Sequence, residues 1–200
     1  KELDLVFPIV HGTSVEDGVL QGYLKTVGVP FVGSDVLASA IAQDKIVQKQ
    51  IFEQCGLPIT DYVWFYDYDY LEDSDSIIKQ IKKIGFPVIV KPASLGSSVG
   101  IGTAKDEEEL REKIEDAINY DTKIVVEEIV KNLTEVNISV LGNYEKQDLS
   151  LIEEVMSDND LLTYEDKYIN GGKKSGSKGM LSATRKIPAE ISEKQANEVR

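Results

Sequence analysis

The residues most able to do chemistry lie in the run Lys91-Pro92-Ala93-Ser94-Leu95-Gly96-Ser97-Ser98-Val99-Gly100. A loop of small residues after a strand presents backbone N–H groups, and glycine lets an oxyanion come close to them. Lys91, at the end of the preceding strand, can add a positive charge on the same oxygens. The run lacks the GxxxxGK[ST] pattern of a P-loop and no helix start follows it, so it reads as a flap between two strands. Standing alone, it reads first as a flexible hairpin connection with a lysine that snorkels to water, since Gly/Ser loops are ordinary turn chemistry.

Charged side chains elsewhere in the chain have chemical potential of their own. Lys45 follows Asp44 at the start of a helix, where a cation opposes the helix dipole and an anionic ligand would relieve the misfit. A solvated lysine is the plainer alternative. Glu127 and Glu128 close the apolar run KIVVEEIV; neighbours on a strand face opposite ways, so one carboxylate can enter a cleft while the other meets solvent. Glu135, eight residues on from Glu127, can accept hydrogen bonds from sugar hydroxyls or stand as a surface charge. His11 follows an apolar strand at a strand–helix turn, a place where α/β proteins hold ligands, although a lone histidine is more often structural. Lys167 and Tyr168 lie in a long polar stretch of the kind that acts as a lid.

The elements that must position these residues follow from the hydrophobic pattern. Leu5 to Val10 reads as a buried strand. Thr13 and Glu16 have capping-box spacing ahead of a helix through Leu20 and Leu24, stopped at Gly28-Val29-Pro30. Phe31 to Gly33 reads as a short strand, completing a β-α-β rhythm. Two helices follow, VLASAIAQ and DKIVQKQIFEQ, ended by Gly56 and Pro58. Ile59 to Tyr66 reads as a strand and Asp75 as the N-cap of SIIKQIKKI. A strong strand from Val88 to Lys91 leads into the flap, with a short strand near Ile101. An amphipathic helix over about Glu107 to Ile118 precedes the strand KIVVEE. Glu135 to Leu141 and Leu149 to Val155 read as antiparallel strands. Residues 156–182 show no periodicity, a length usual only for functional or mobile loops. Arg185 to Ile187 resumes a strand, and AEISEKQANEVR reads as an unfinished helix.

Composition removes several classes. Apolar residues are 42% and charged residues 28% of 200, the usage of a folded globular chain. Against 22 basic side chains stand 35 acidic ones, a net charge of −13 that repels nucleic-acid backbones. One cysteine, Cys55, and one histidine leave no disulfide and no His/Cys zinc set. No apolar run reaches the roughly 20 residues of a membrane helix, and KELDLVFPIV is no signal peptide. The reading is a cytoplasmic protein without nucleic-acid or membrane partners, in which Asn132-Leu133-Thr134 and Asn137-Ile138-Ser139 are chance glycosylation triplets. The non-Met start and the open final helix read as an interior piece of a longer protein.

Taken in order, His11-Gly12, Glu16-Asp17-Gly18, Gln21-Gly22, Gly33-Ser34, Asp44-Lys45, VIVKPASLGSSVG, VEE and YEDKY closely resemble the D-alanine–D-alanine ligases of the ATP-grasp superfamily. The resemblance covers essentially the whole chain. It implies an α/β (α+β ATP-grasp) architecture: a partial N-terminal α/β domain over 1–33, a central ATP-grasp domain over 34–130, and the beginning of a C-terminal ATP-grasp domain over 131–200. It implies ATP-dependent ligation of two D-alanines through an acylphosphate, for peptidoglycan precursor synthesis, with Mg2+ or Mn2+ and in a homodimer. Lys45 and Lys91 match lysines that hold nucleotide phosphates, and Gly96, Ser97, Ser98 and Val99, with Gly100, the flap over the transferred phosphate. Glu127, Glu128 and Val130 match the hinge strand that reads adenine through its backbone, and Glu135 the ribose carboxylate. His11 matches a histidine near the first substrate. Lys167 and Tyr168 match a loop that closes over the site, with Tyr168 directed toward Ser97. Family members making D-alanyl-D-lactate tend to lack this tyrosine, which favours an amine nucleophile.

The family's metal ligands, and an arginine for the tetrahedral intermediate, are expected beyond Arg200, so no metal ligand is assigned. The 200 residues alone are accordingly expected to be inactive, and D-alanyl-D-alanine synthesis by them would overturn this. Two alternatives stand beside the main reading: another ATP-grasp carboxylate–amine ligase, including one using D-serine, and a non-catalytic ATP-binding switch.

Overall fold

The computed structural model describes residues 3–96, 99–156 and 184–200. Contacts divide the chain into two units, Lys1–Ile129 and Val130–Arg200. The architecture is mixed helix and sheet throughout.

The first unit centres on a four-stranded sheet of order β1-β4-β2-β3, formed by β1 (Tyr62–Tyr66), β2 (Val88–Pro92), β3 (Gly102–Ala104) and β4 (Lys123–Glu128). Every pairing is antiparallel, and β4 lies between β1 and β2, with Tyr62 and Ile89 both opposite Glu127. A central strand is covered on both faces, which explains why the successive residues Ile124, Val125 and Val126 are all apolar and wholly buried. Ile124 and Val126 join Phe65, Val88 and Val90 beneath α5 (Ser74–Ile81) and α6 (Glu107–Ile118). Helix α6 contributes Leu110, Ile114 and Ala117, a 3.6-period stripe wholly removed from water. Val125 turns to the other face, against Ile46 of α3 (Lys45–Gln54) and Ala93. The flap expected between two strands is indeed the β2–β3 connection, and Gly100 closes it at φ +66°.

Several local expectations are corrected. The run Leu5 to Val10 is not a buried strand: only Val6 bridges Phe31, while Leu5, Phe7, Ile9 and Val10 are exposed. Pro8 offers no N–H, and one neighbouring segment cannot cover both faces. Thr13 and Glu16 form no capping box. The Glu16 carboxylate accepts from the Gly12 N–H at 2.7 Å, and α1 (Val19–Thr26) starts after Gly18 without a side-chain cap. Phe31 to Gly33 contributes only that bridge at Phe31. Asp73, not Asp75, caps α5, because its carboxylate accepts from the Ser76 N–H at 3.0 Å; Asp75 pairs instead with Arg111. The strand from Ile59 starts only at Tyr62, and an unforeseen helix, α4 (Asp67–Glu72), follows it. VLASAIAQ forms α2 (Val36–Gln43), capped by Asp35.

In the second unit the strand expected over Glu135 to Leu141 is two strands, since its halves pair differently. β5 (Glu135–Asn137) pairs with β8 (Glu153–Met156), and β8 with β9 (Thr184–Lys186). β6 (Val140–Gly142) and β7 (Gln147–Leu149) make a separate hairpin. α7 (Glu193–Val199) is capped by Ser192, with Gln195 completing a capping box. No helix among the described residues is long and apolar enough to cross a membrane.

Candidate functional site

Helix α3 owes its position to Asp44. The Asp44 carboxylate accepts from the N–H groups of Ile46 at 2.9 Å and Val47 at 3.1 Å, two of the donors a helix start leaves unpaired. It also meets the Lys123 ammonium at 2.5 Å. Burial acts to raise the Asp44 pKa, but the Lys123 bond and the two N–H donors outweigh it and hold the carboxyl below its ordinary range.

Because alternate residues of β4 share a face, Lys123, Val125 and Glu127 all look toward α3. They meet Asp44, Ile46 and Lys49 in order: an ion pair, an apolar contact and a second ion pair. Glu127 therefore turns inward, 7% exposed, while Glu128 is exposed and its N–H donates to the Asp61 carbonyl at 3.0 Å.

Around Glu127 lies a cavity of about 300 Å³ lined by Lys45, Gln48, Lys49, Phe52, Ile59 and Lys91 beside Glu127 itself. One carboxylate oxygen of Glu127 stands 3.3 Å from Lys49 Nζ and 3.3 Å from Lys91 Nζ. The Thr60 hydroxyl donates to that same oxygen at 3.2 Å and accepts from Lys49 Nζ at 2.8 Å. Lys45 points into the base of the flap. Its Nζ donates to the carbonyls of Pro92 at 3.2 Å, Ala93 at 3.4 Å and Leu95, and its N–H donates to the Ala93 carbonyl at 3.0 Å. Burial first, and then the nearby Lys91 charge, push the Lys45 pKa down. Three ammonium groups against one carboxylate make a partly desolvated site that an anion of high charge would relieve. The flap is anchored beside it: Ser94 N–H donates to Asp121 at 2.7 Å and Gln43 donates to the Ser94 carbonyl at 2.8 Å.

The structure thus brings Lys45, Lys91 and Glu127 together. Gly96 is exposed and Val99 half-buried in the flap, where the Val99 N–H donates to the Gly96 carbonyl at 3.3 Å. His11 lines no part of this cavity; it is exposed, its Nδ1 3.4 Å from Glu16. Val130 and Glu135 are exposed residues of the second unit. Ser97, Ser98, Lys167 and Tyr168 lie outside the described residues. Lys49 and Thr60 were not foreseen. The spacing of four between Lys45 and Lys49 was a usable signal, since it puts both on one helical face; Thr60 carried none. Among the described residues no group of three His, Cys, Asp or Glu side chains could hold a metal.

Residues 1–34 match the family model "D-ala D-ala ligase N-terminus" and residues 51–200 match "D-ala D-ala ligase C-terminus". The chain is 40% identical over 198 residues to the D-alanine–D-alanine ligase of Thermoanaerobacter sp. (strain X514), covering 99% of this chain and 52% of the relative. It is 42% identical over 190 residues to that of Natranaerobius thermophilus, with 94% and 52% covered. Among solved structures, the VanG D-Ala:D-Ser ligase from Enterococcus faecalis superposes with a TM-score of 0.80 at 29% identity, over 100% of this chain and 54% of that one. The chain spans about half the length of the curated relatives it matches.

Proposed function

Since the chain belongs to the D-alanine–D-alanine ligase family, we propose that the protein it is part of joins two D-alanines at the expense of ATP, releasing ADP and phosphate. The observation that carries this is the cavity in which Lys45, Lys49 and Lys91 gather around the single carboxylate of Glu127 at the base of the flap. Its donor set suits a polyphosphate: ammonium groups compensate charge without taking part in covalent chemistry, which is most of what phosphoryl transfer asks of a protein. Lys45 and Lys91 hold the phosphates, and the Gly96 to Gly100 backbone, with Ser97 and Ser98, covers them.

ATP supplies the phosphoryl group that turns the carboxylate of one D-alanine into an acylphosphate. The amine of the second D-alanine attacks that carbonyl, and phosphate leaves. Lys167 and Tyr168 belong to a closing loop that keeps water from the acylphosphate, Glu135 accepts from the ribose, and the Glu127 to Val130 stretch meets the adenine. In β4 the Glu128 N–H is already taken by the Asp61 carbonyl at 3.0 Å. Among the described residues no group of three His, Cys, Asp or Glu side chains fits Mg2+. The three-part division at 33 and 130 and a homodimeric assembly belong to the same proposal.

The test is phosphate release by the full-length protein with Mg-ATP and D-alanine, D-alanine together with D-serine, L-alanine or no amino acid. D-alanine-dependent release with D-alanyl-D-alanine as product is expected. A mixed dipeptide in the D-serine arm would widen the second substrate. ATP binding with no D-alanine-dependent release would overturn the ligase reading.

A further inference from the structure

Glu127 poses a problem of charge. Its carboxylate is nearly buried and touches Lys91, and a lysine neutralised by a buried carboxylate has little charge left for a ligand. Lys49 offers the way out. Its ammonium is held by the Thr60 hydroxyl at 2.8 Å, the Thr60 carbonyl at 3.3 Å and Glu127 at 3.3 Å, and it lies 5.0 Å over the Tyr62 ring. The Lys49 side chain is 11% exposed against 22% for Lys91. Fastened on these sides, Lys49 stays with Glu127, whereas Lys91 meets Glu127 alone among the described ion pairs.

We infer that Lys49 is a positioning residue: it serves as the standing counter-ion of Glu127, so that the charge of Lys91 remains available to the nucleotide phosphates. The inference rests on the proposal that Lys91 faces those phosphates. Its content is a charge count. Lys45, Lys49 and Lys91 against Glu127 leave two net positive charges in the cavity, and removing Lys49 leaves one, because Glu127 then claims Lys91. Tight binding by Lys91 and buried pairing of Glu127 are compatible only while both lysines are present.

The test uses the full-length protein and calorimetric titration with ADP and with adenosine, which has no phosphate. Lys49→Met keeps the length of the side chain and removes its charge. Its Kd for ADP should rise about tenfold, the loss of one nearby charge across a partly desolvated site, while the Kd for adenosine stays within about twofold. Adding Glu127→Gln restores the count, and the double variant should return to within about threefold of wild type for ADP. A role confined to folding would lower the melting temperature and shift both ligands together, or neither; either result overturns the inference. Should Lys49→Met fail to fold, Glu127→Gln alone decides: it should bind ADP at least as tightly as wild type, and weaker binding refutes the count. A wild-type protein that binds no ADP would sink the nucleotide reading itself, a result distinct from a wild type that binds and a Lys49→Met variant that binds equally well.

Discussion

Asp44 does two things at the start of α3, and they can be separated by a pair of substitutions. Asp44→Ala removes the acceptor for the Ile46 and Val47 N–H groups, a cap whose loss costs about 1 kcal/mol. It also strips the partner from Lys123. With these two side chains 21% and 19% exposed, that ion pair sits between the surface and the buried regimes, and its loss adds about 1 kcal/mol. Asp44→Asn keeps a side-chain oxygen for the cap and loses only the charge. The expected destabilisations are therefore about 2 kcal/mol for Ala and about 1 kcal/mol for Asn, read from urea unfolding midpoints. Hydrogen exchange localises the effect: the Ile46 and Val47 amides should lose about fivefold more protection in Ala than in Asn, since about 1 kcal/mol separates them. Acid adds a further check. The folded carboxyl titrates below its unfolded value of about 4, so wild type's advantage over Asn is complete above that value and fades as pH falls through the folded pKa. Equal destabilisation by the two substitutions, with no difference at those amides, would show that the side chain does not cap α3.

Two further outcomes can be measured in the nucleotide-free protein. Lys45 has a folded pKa pushed below its unfolded value of about 10.4 by burial and by Lys91, so the folded state disfavours its charged form. Thermal midpoints should therefore shift in favour of wild type over Lys45→Met as pH rises toward that value, and a pH-independent difference would contradict the burial of its ammonium. Gly100 sits at φ +66°, and a Cβ there would lie 2.8 Å from Pro92 Cγ and 2.8 Å from the Tyr120 ring. Gly100→Ala should cost about 1–3 kcal/mol in unfolding experiments, and a neutral result would mean the flap closes by another path.

Long patterns were legible in the sequence, and relationships between elements were not. Helix α6 and strand β4 fall where the amphipathic period and the apolar run put them, because each element's burial is written into its own residues. The buried reading of Leu5 to Val10 failed because an apolar run reports what a segment would bury, not whether a second layer is there to bury it. At α5, either Asp73 or Asp75 could cap, and the choice fell to Arg111, 36 residues beyond Asp75, which takes the latter. Lys45, Lys91 and Glu127 could be singled out by position within a loop, a helix start and a strand end. Lys49 shares a helical face with Lys45 by its spacing of four, but its pairing with Glu127 depends on which face of β4 receives α3. Thr60 became visible only once β1 and β4 were paired.

The alternation of Lys123, Val125 and Glu127 against Asp44, Ile46 and Lys49 has a mechanical side. Packed helices commonly accommodate ligands by sliding along their neighbours, whereas hinges bend at a few loop residues. Sliding α3 by one turn, about 5.4 Å, would carry Asp44 or Lys49 over Val125 and abandon an opposite charge on the strand. Such a displaced arrangement has no compensating pairing on β4, so the alternation opposes shear along this contact. Opening and closing of the cavity is thereby favoured in the segments around this contact, with the two lysines of α3 as its floor.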